Sequence, residues 1–229
     1  MPETPAPLQP GTGQSVLHLF LKPDLEVDRA GAAKAIDWAG DHGCQVVLAA
    51  ILGHKADLCA MILGPDAWVL REFQTLLQRA GFVVVDSFVS MTEVSEYAAG
   101  MPQEMLAARL HPVLPPEGLR AFCFYPMSKR RGEGQNWYSL DYERREELMR
   151  AHGKSGKEFR GRVLQVVTGS TGLDDWEWGV TLFGAHLDDL KECVYTMRFD
   201  EASTLYGEFG PFYTGIVASL DEALEHCVA

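Results

Sequence analysis

Apolar positions along this chain change period several times, and the order of the changes repeats. A short run of β-formers at 16–21 is followed at 28–42 by alanines and Ile36 returning to one helical face, with Gly43 as the stop. Residues 45–52 and 57–63 read as two strands joined at Gly53 and His54, which predicts a hairpin. Residues 66–80 predict an amphipathic helix with Trp68, Phe73, Leu76 and Leu77 near one face and Gly81 after it, and 82–89 return to a strand pattern. The order is β-α-β-β-α-β, a ferredoxin-like unit.

The pattern lapses between 98 and 119, where a short helix at 103–109 precedes HPVLPPEG, whose prolines cannot continue regular structure. It then resumes as strand 120–127, helix 141–152, strands 162–168 and 177–183, helix 187–197, strand 212–218 and a closing helix at 220–226. The expected organisation is a frayed tail over 1–14, an N-terminal ferredoxin-like scaffold domain over 15–97, a linker over 98–119 and a C-terminal ferredoxin-like domain over 120–229. The fold class is α+β, two tandem ferredoxin-like units of the dimeric α+β barrel type. Each sheet carries helices on one face, so the other face must be covered by its twin or by a partner chain.

Composition narrows the partners. With 229 residues, 47% of them hydrophobic, a packed core is available, while a net charge of −12 argues against nucleic acid and against an anionic membrane surface. The five cysteines are scattered singly, with neither paired zinc spacing nor a CxxCH for covalent haem, as expected in a reducing compartment. The start of the chain has no basic segment leading into an apolar one, and no apolar run reaches membrane length, so a cytoplasmic protein is expected.

Candidate chemistry gathers in the second half. In the first, His18, His42 and His54 fall at unrelated places and read as surface or core-edge residues. In the second, Tyr125 shares a strand face with Ala121, Cys123 and Met127, and Lys129, Arg130 and Arg131 follow at the strand end. Cations beside a phenol suit a carboxylate or phosphate, although a solvated turn with a structural tyrosine explains them equally. His152 lines up with Leu148 and Met149 at the end of its helix, either as a histidine favoured by the helix dipole or as an axial ligand to haem iron. Gln165 shares a face with Val163 and Val167, either bonded to neighbouring backbone or facing a ligand. Trp176 and Trp178 pack or wall a flat aromatic ligand; Arg198 and Ser203 offer a second cation and a hydroxyl to a second carboxylate, unless Arg198 is simply in a surface ion pair.

The segments YPMSKRR with NWY, ERREELMRAHG, GSTGLDDWEWGVTLF and MRFDEAS with FGPFYTG, supported by FQTLLQRAG and VSMTEVSEY, resemble the chlorite dismutase superfamily, and within it the coproheme decarboxylase branch. The resemblance implies two ferredoxin-like domains, a homopentamer and iron coproporphyrin III bound in the C-terminal domain. That substrate, which is also the redox centre, is decarboxylated with hydrogen peroxide to haem b, two propionates becoming vinyls with release of CO2. A transient contact with the iron-inserting enzyme follows from the same family logic.

Carried over by motif, the resemblance implies that Tyr125 is the radical-forming residue, Lys129 the propionate anchor, His152 the proximal iron ligand and Gln165 the distal glutamine. It implies Met127 and Trp176 as pocket residues and Arg198 and Ser203 as contacts to porphyrin carboxylates. A neutral glutamine at the distal position speaks against chlorite, which the chlorite-degrading branch holds with an arginine. His111 departs from the basic contact expected in firmicute-like members and reads as a linker residue or a distal acid/base group. Chlorite dismutase, a haem peroxidase and a non-catalytic haem carrier are the competing functions.

Overall fold

The computed structural model describes residues 6–98 and 100–227. The first half contains β1 (Ser15–Pro23), α1 (Arg29–Asp41), β2 (Gln45–Ile51), β3 (Leu58–Gly64), α2 (Ala67–Arg79) and β4 (Phe82–Thr92). A connecting helix α3 (Gln103–Leu110) leads to β5 (Ala121–Lys129), a short hairpin β6 (Arg131–Gly132) and β7 (Gln135–Asn136), and α4 (Tyr142–Lys157). Then come β8 (Val163–Gly169), β9 (Trp178–Gly184), α5 (Leu187–Met197), α6 (Glu201–Tyr206), β10 (Gly207–Phe209), β11 (Tyr213–Val217) and α7 (Leu220–Cys227).

Among the described residues nine strands form one sheet in the order β10-β5-β11-β2-β3-β1-β4-β8-β9, and β9 returns to pair with β5. The sheet is therefore closed. Each half has the ferredoxin-like strand order, β2-β3-β1-β4 in the first and β8-β9-β5-β11 in the second. The halves meet at two short seams, Gly215↔Ile51 to Val217↔Ala49 on one side and Met91↔Gly169 with Thr92↔Thr168 on the other. At the first seam a Cβ on Gly215 would lie 2.4 Å from the Ala50 carbonyl oxygen, so only glycine lets the strands approach.

Strand alternation sends one row of each strand inward. Val16, Phe20, Val47, Met61, Phe88, Phe122, Phe124, Phe183 and Tyr213 fill the barrel, so each sheet face is covered by its twin within one chain. The opposite rows meet the helices: Leu17, Leu19 and Leu21 pack with α1 and α2, while Ala121, Cys123, Tyr125, Val180 and Leu182 pack with α5. On α2 the buried residues are Leu70, Phe73 and Leu77, whereas Trp68 in the first turn is exposed, outside the inward stripe expected for it.

Residues 1–5 of the frayed tail lie outside the described residues, but its remainder is tied down: Leu8 N–H donates to Asp66 Oδ1 at 2.9 Å and Gln14 N–H to Thr92 Oγ1 at 2.8 Å. Within the connecting segment, whose residue 99 lies outside the described residues, Gln45 clamps both sides of one peptide stretch, donating to Pro112 O at 2.8 Å and accepting from Leu114 N at 2.9 Å. The helix bearing His152 does not stop at Gly153 but continues to Lys157, Asp141 capping its start and Lys154 and Lys157 complementing the dipole at its end.

His18, expected at the surface or the core edge, lies instead inside the barrel. It is 0% exposed, in the inward row of β1, with Nε2 2.9 Å from Thr181 Oγ1 and its ring 4.4 Å from that of Phe124. Burial pushes its pKa from 6.5 down to about 3, so the folded protein holds a neutral imidazole. Unfolded chains bind the proton that the fold refuses. Stability should therefore be indifferent to His18 above about pH 7 and fall as pH drops through about 6.5 toward about 3, by roughly 2 kcal/mol at about pH 5. Urea titrations across this range should show His18→Gln with a flatter acid limb than wild type; parallel limbs would contradict the burial argument.

Candidate functional site

The helix-facing row of β5 builds one wall. Tyr125 is 8% exposed and its ring stacks on Phe212 at 4.5 Å and lies 5.8 Å from Phe209. Burial raises the phenol's pKa, so it keeps its proton at any ordinary pH and can give up an electron only together with that proton. Met127, half-buried, follows in the same row. Arg198, just past α5, places its guanidinium 4.9 Å from the Phe209 ring and has no ion pair among the described residues. Its charge is available to an incoming carboxylate.

Lys129 ends the row and is buried, an unusual place for an ammonium. Its Nζ donates to Ala202 O at 3.2 Å and sits 4.3 Å above the Trp137 ring. Burial lowers its pKa to about 8, with the carboxylates of Asp200 and Glu177 opposing the fall.

His152 lies on α4, a turn before the helix end. Its Nδ1 donates to Asp200 Oδ2 at 2.9 Å; a carboxylate accepts only, so Nδ1 carries a proton and the lone pair of the neutral ring is on Nε2. Asp200 also caps α6, accepting from the Ser203 backbone N–H at 3.1 Å and from Ser203 Oγ at 3.1 Å. Burial pushes the Asp200 pKa up, but these hydrogen bonds, that of His152 foremost, outweigh it and hold the carboxyl below its usual value.

Gln165 reaches from β8 toward α5, where Nε2 donates to Cys193 Sγ at 3.3 Å. Burial raises that thiol's pKa to about 11, so the sulfur is a neutral, weak acceptor that an incoming ligand could replace. Gly156 of α4 passes over the same amide, a Cβ there lying 3.9 Å from Gln165 Nε2. The imidazole thus sits on the helix layer and the amide on the sheet layer of the same sandwich.

Two expected residues stand elsewhere or are otherwise engaged. Trp176 precedes β9 and packs against the barrel-interior cluster, with its indole over Gly210 beside Pro126, on the side opposite Tyr125. Trp178 donates from Nε1 to Glu93 Oε1 at 3.0 Å, so the two indoles do not wall one space. Ser203 spends its hydroxyl proton on Asp200. His111 is exposed at the end of α3.

Residues not singled out beforehand complete the site: Asp200, Trp137 and the buried Glu177. The cue for Asp200 was the FDEAS sequence, an aspartate three residues before a serine at a helix start. Glu177 was an acid inside an apolar strand approach, and nothing in its spacing marked it.

This donor set fits an iron porphyrin bearing carboxylates. One imidazole offers Nε2 with Nδ1 already anchored, aromatic and sulfur side chains line the adjoining wall, and Lys129 and Arg198 supply cations. The architecture defines a protein of the tandem ferredoxin-like class with a donor set of the kind an iron porphyrin requires. A profile of the family described as chlorite dismutase matches residues 28–218, and the chain belongs to that family. Within it the chain stands with proteins named coproheme decarboxylase. That of Staphylococcus saprophyticus is 44% identical over 181 residues, covering 75% of this chain and 72% of the relative; that of Staphylococcus carnosus is 42% identical over 195 residues, covering 81% and 77%. A haem-binding protein of Thermus thermophilus superposes with a TM-score of 0.81 at 34% identity, covering 96% of this chain and 98% of that one. Chlorite dismutase from Candidatus Nitrospira defluvii in complex with imidazole shares the fold, with a TM-score of 0.75 at 21% identity, covering 94% and 95%.

If His152 is the iron ligand, Asp200 makes it more basic. His152→Ala should abolish the iron–imidazole band in resonance Raman spectra of the ferrous coproheme complex. Asp200→Asn should keep the band, lower its frequency and weaken coproheme binding roughly 10-fold or more. An unchanged band in both variants would remove His152 from the site.

Proposed function

We propose that this protein oxidatively decarboxylates iron coproporphyrin III to haem b, using hydrogen peroxide and a radical on Tyr125. The observation that carries the reading is a buried phenol and a buried ammonium in one row of β5, beside a layer bearing an imidazole oriented by Asp200. Similarity to named coproheme decarboxylases over most of the chain supports it.

Bound coproheme supplies the iron at which peroxide is reduced. His152 holds that iron through Nε2, and Asp200 keeps the ring in the tautomer that allows it. Lys129 pairs with the carboxylate of the reacting propionate, and Arg198 and Ser203 hold others; Ser203 must release Asp200 to do so. Met127 lines the porphyrin edge. Tyr125 loses an electron and a proton together and then takes a hydrogen from the propionate chain. The second electron goes to the remaining oxidising equivalent of the peroxide as the C–C bond to the carboxylate breaks. For each vinyl, one propionate, one peroxide and one proton give the vinyl, one CO2 and two waters, so charge and atoms balance.

Gln165 is neutral and offers no charge-assisted bond to an oxychlorine anion, so the chlorite reading is set aside. The proposal extends to a homopentamer in the cytoplasm receiving coproheme through a transient contact with the iron-inserting enzyme. Exposed apolar side chains on β4 and β8, Val85, Val89 and Val167 among them, offer surface for self-association.

Stoichiometric peroxide added to the coproheme complex should give mono- and divinyl porphyrins by mass analysis, and chlorite should give no oxygen. A carrier would bleach or stay unchanged. Tyr125→Phe removes only the hydroxyl; it should bind coproheme normally and form no vinyl, and vinyl formation at the wild-type rate would overturn the radical assignment. Lys129→Ala loses a charge-assisted contact of about 1.5–3 kcal/mol, so turnover should fall more than total binding. Equal losses in both would argue for a purely structural lysine.

A further inference from the structure

We propose that Glu177 is the positioning residue for Lys129, fixing where its ammonium sits and keeping it charged for the substrate's carboxylate. The inference rests on the reading of Lys129 as the propionate anchor.

Glu177 is 6% exposed, so its carboxylate is held inside the protein at an appreciable desolvation cost. Its Oε2 accepts the backbone N–H of Lys129 at 2.7 Å. Its own N–H donates to Met127 O at 3.2 Å and to Ser128 Oγ at 3.2 Å, and its carbonyl accepts from Ser170 N at 2.8 Å. The approach to β9 is thereby fastened to the end of β5 where the lysine leaves it. A displaced Glu177 would move Lys129 with it.

The charges around Lys129 come from two sides. Asp200 faces it from the start of α6, but Asp200 already accepts from His152 and Ser203. Glu177 faces it from the approach to β9, with the Tyr138 phenol and Arg131 behind it along a cavity of about 350 Å³ that Asn136 and Thr171 also line. The Trp137 ring and Ala202 O complete the surroundings of the ammonium. A buried amine with fewer opposing carboxylates sheds its proton at lower pH. Glu177 accepts from the Lys129 N–H and the Tyr138 phenol and stands outside the network of His152, Asp200 and Ser203.

The test uses the full chain with 13C-labelled lysine, following Lys129 by NMR in Glu177→Gln and wild type, the resonance being identified by its loss in Lys129→Arg. Wild-type Lys129 should titrate near about 8, and Glu177→Gln should lower that by about one unit or more. In peroxide assays the ratio of wild-type to variant turnover should grow at least about fivefold between about pH 6 and about pH 8.5, and adding Lys129→Arg to Glu177→Gln should remove that growth. An unchanged lysine titration, or a loss of turnover equal at every pH, would overturn the proposal. Should Glu177→Gln not fold, Glu177→Asp keeps the charge while shortening the reach: Lys129 should then titrate as in wild type while its backbone amide exchanges faster, and the reverse pattern would count against the idea. If the wild-type protein forms no vinyl at all, the decarboxylase reading fails while the titration still judges Glu177.

Discussion

One strand serves two interiors. β5 sends Phe122 and Phe124 into the barrel and Ala121, Cys123, Tyr125 and Met127 toward the helices, and it pairs with β9, β10 and β11. Because successive side chains point to opposite faces, a slip of one residue would exchange the rows and put a phenol where phenylalanine fills the core. The register that closes the barrel is thus the register that presents the tyrosine and the lysine. The hydrophobic requirement of one face disciplines the chemistry of the other.

Around that strand, buried charge is managed locally. His152, Asp200 and Ser203 form one network in which each donor finds an acceptor, and Lys129 lies between that network and Glu177. The helix start that Asp200 caps is also what aims it, so the cap of a short helix orients the imidazole. Gln165, by contrast, has among the described residues only a thiol as side-chain partner, a weak acceptor for an amide.

Much of this was legible in the chain because period-two and period-3.6 patterns are local properties. The repeated β-α-β-β-α-β order, the β2–β3 hairpin and the shared face of Tyr125 and Met127 follow from alternation alone. What was hidden depended on long-range partners. Asp200 and Glu177 are two of 32 acidic residues, and an acid reads as solvated until the cation it meets is known. Trp176 lies just before its strand begins, so alternation did not govern its side. His18 looked peripheral because nothing nearby in the chain announces Thr181, its partner across the barrel. The helix through His152 outlasts Gly153 because its cap and its terminal lysines compensate a glycine's poor propensity.

The seam at Gly215 carries a mechanical consequence. Since the Ala50 carbonyl occupies the space a side chain would need, this joint has a single permitted width and no slack to share. β11 bonds to β2 across the joint and to β5 on its other edge, Tyr213↔Phe124 lying one step from Tyr125. Pressure applied at the joint would be transmitted sideways through one strand's thickness. The strand that carries Tyr125 is therefore held from the far half of the molecule by contacts that never touch that side chain, as a bridge of a stringed instrument sets the tension of a string it does not pluck.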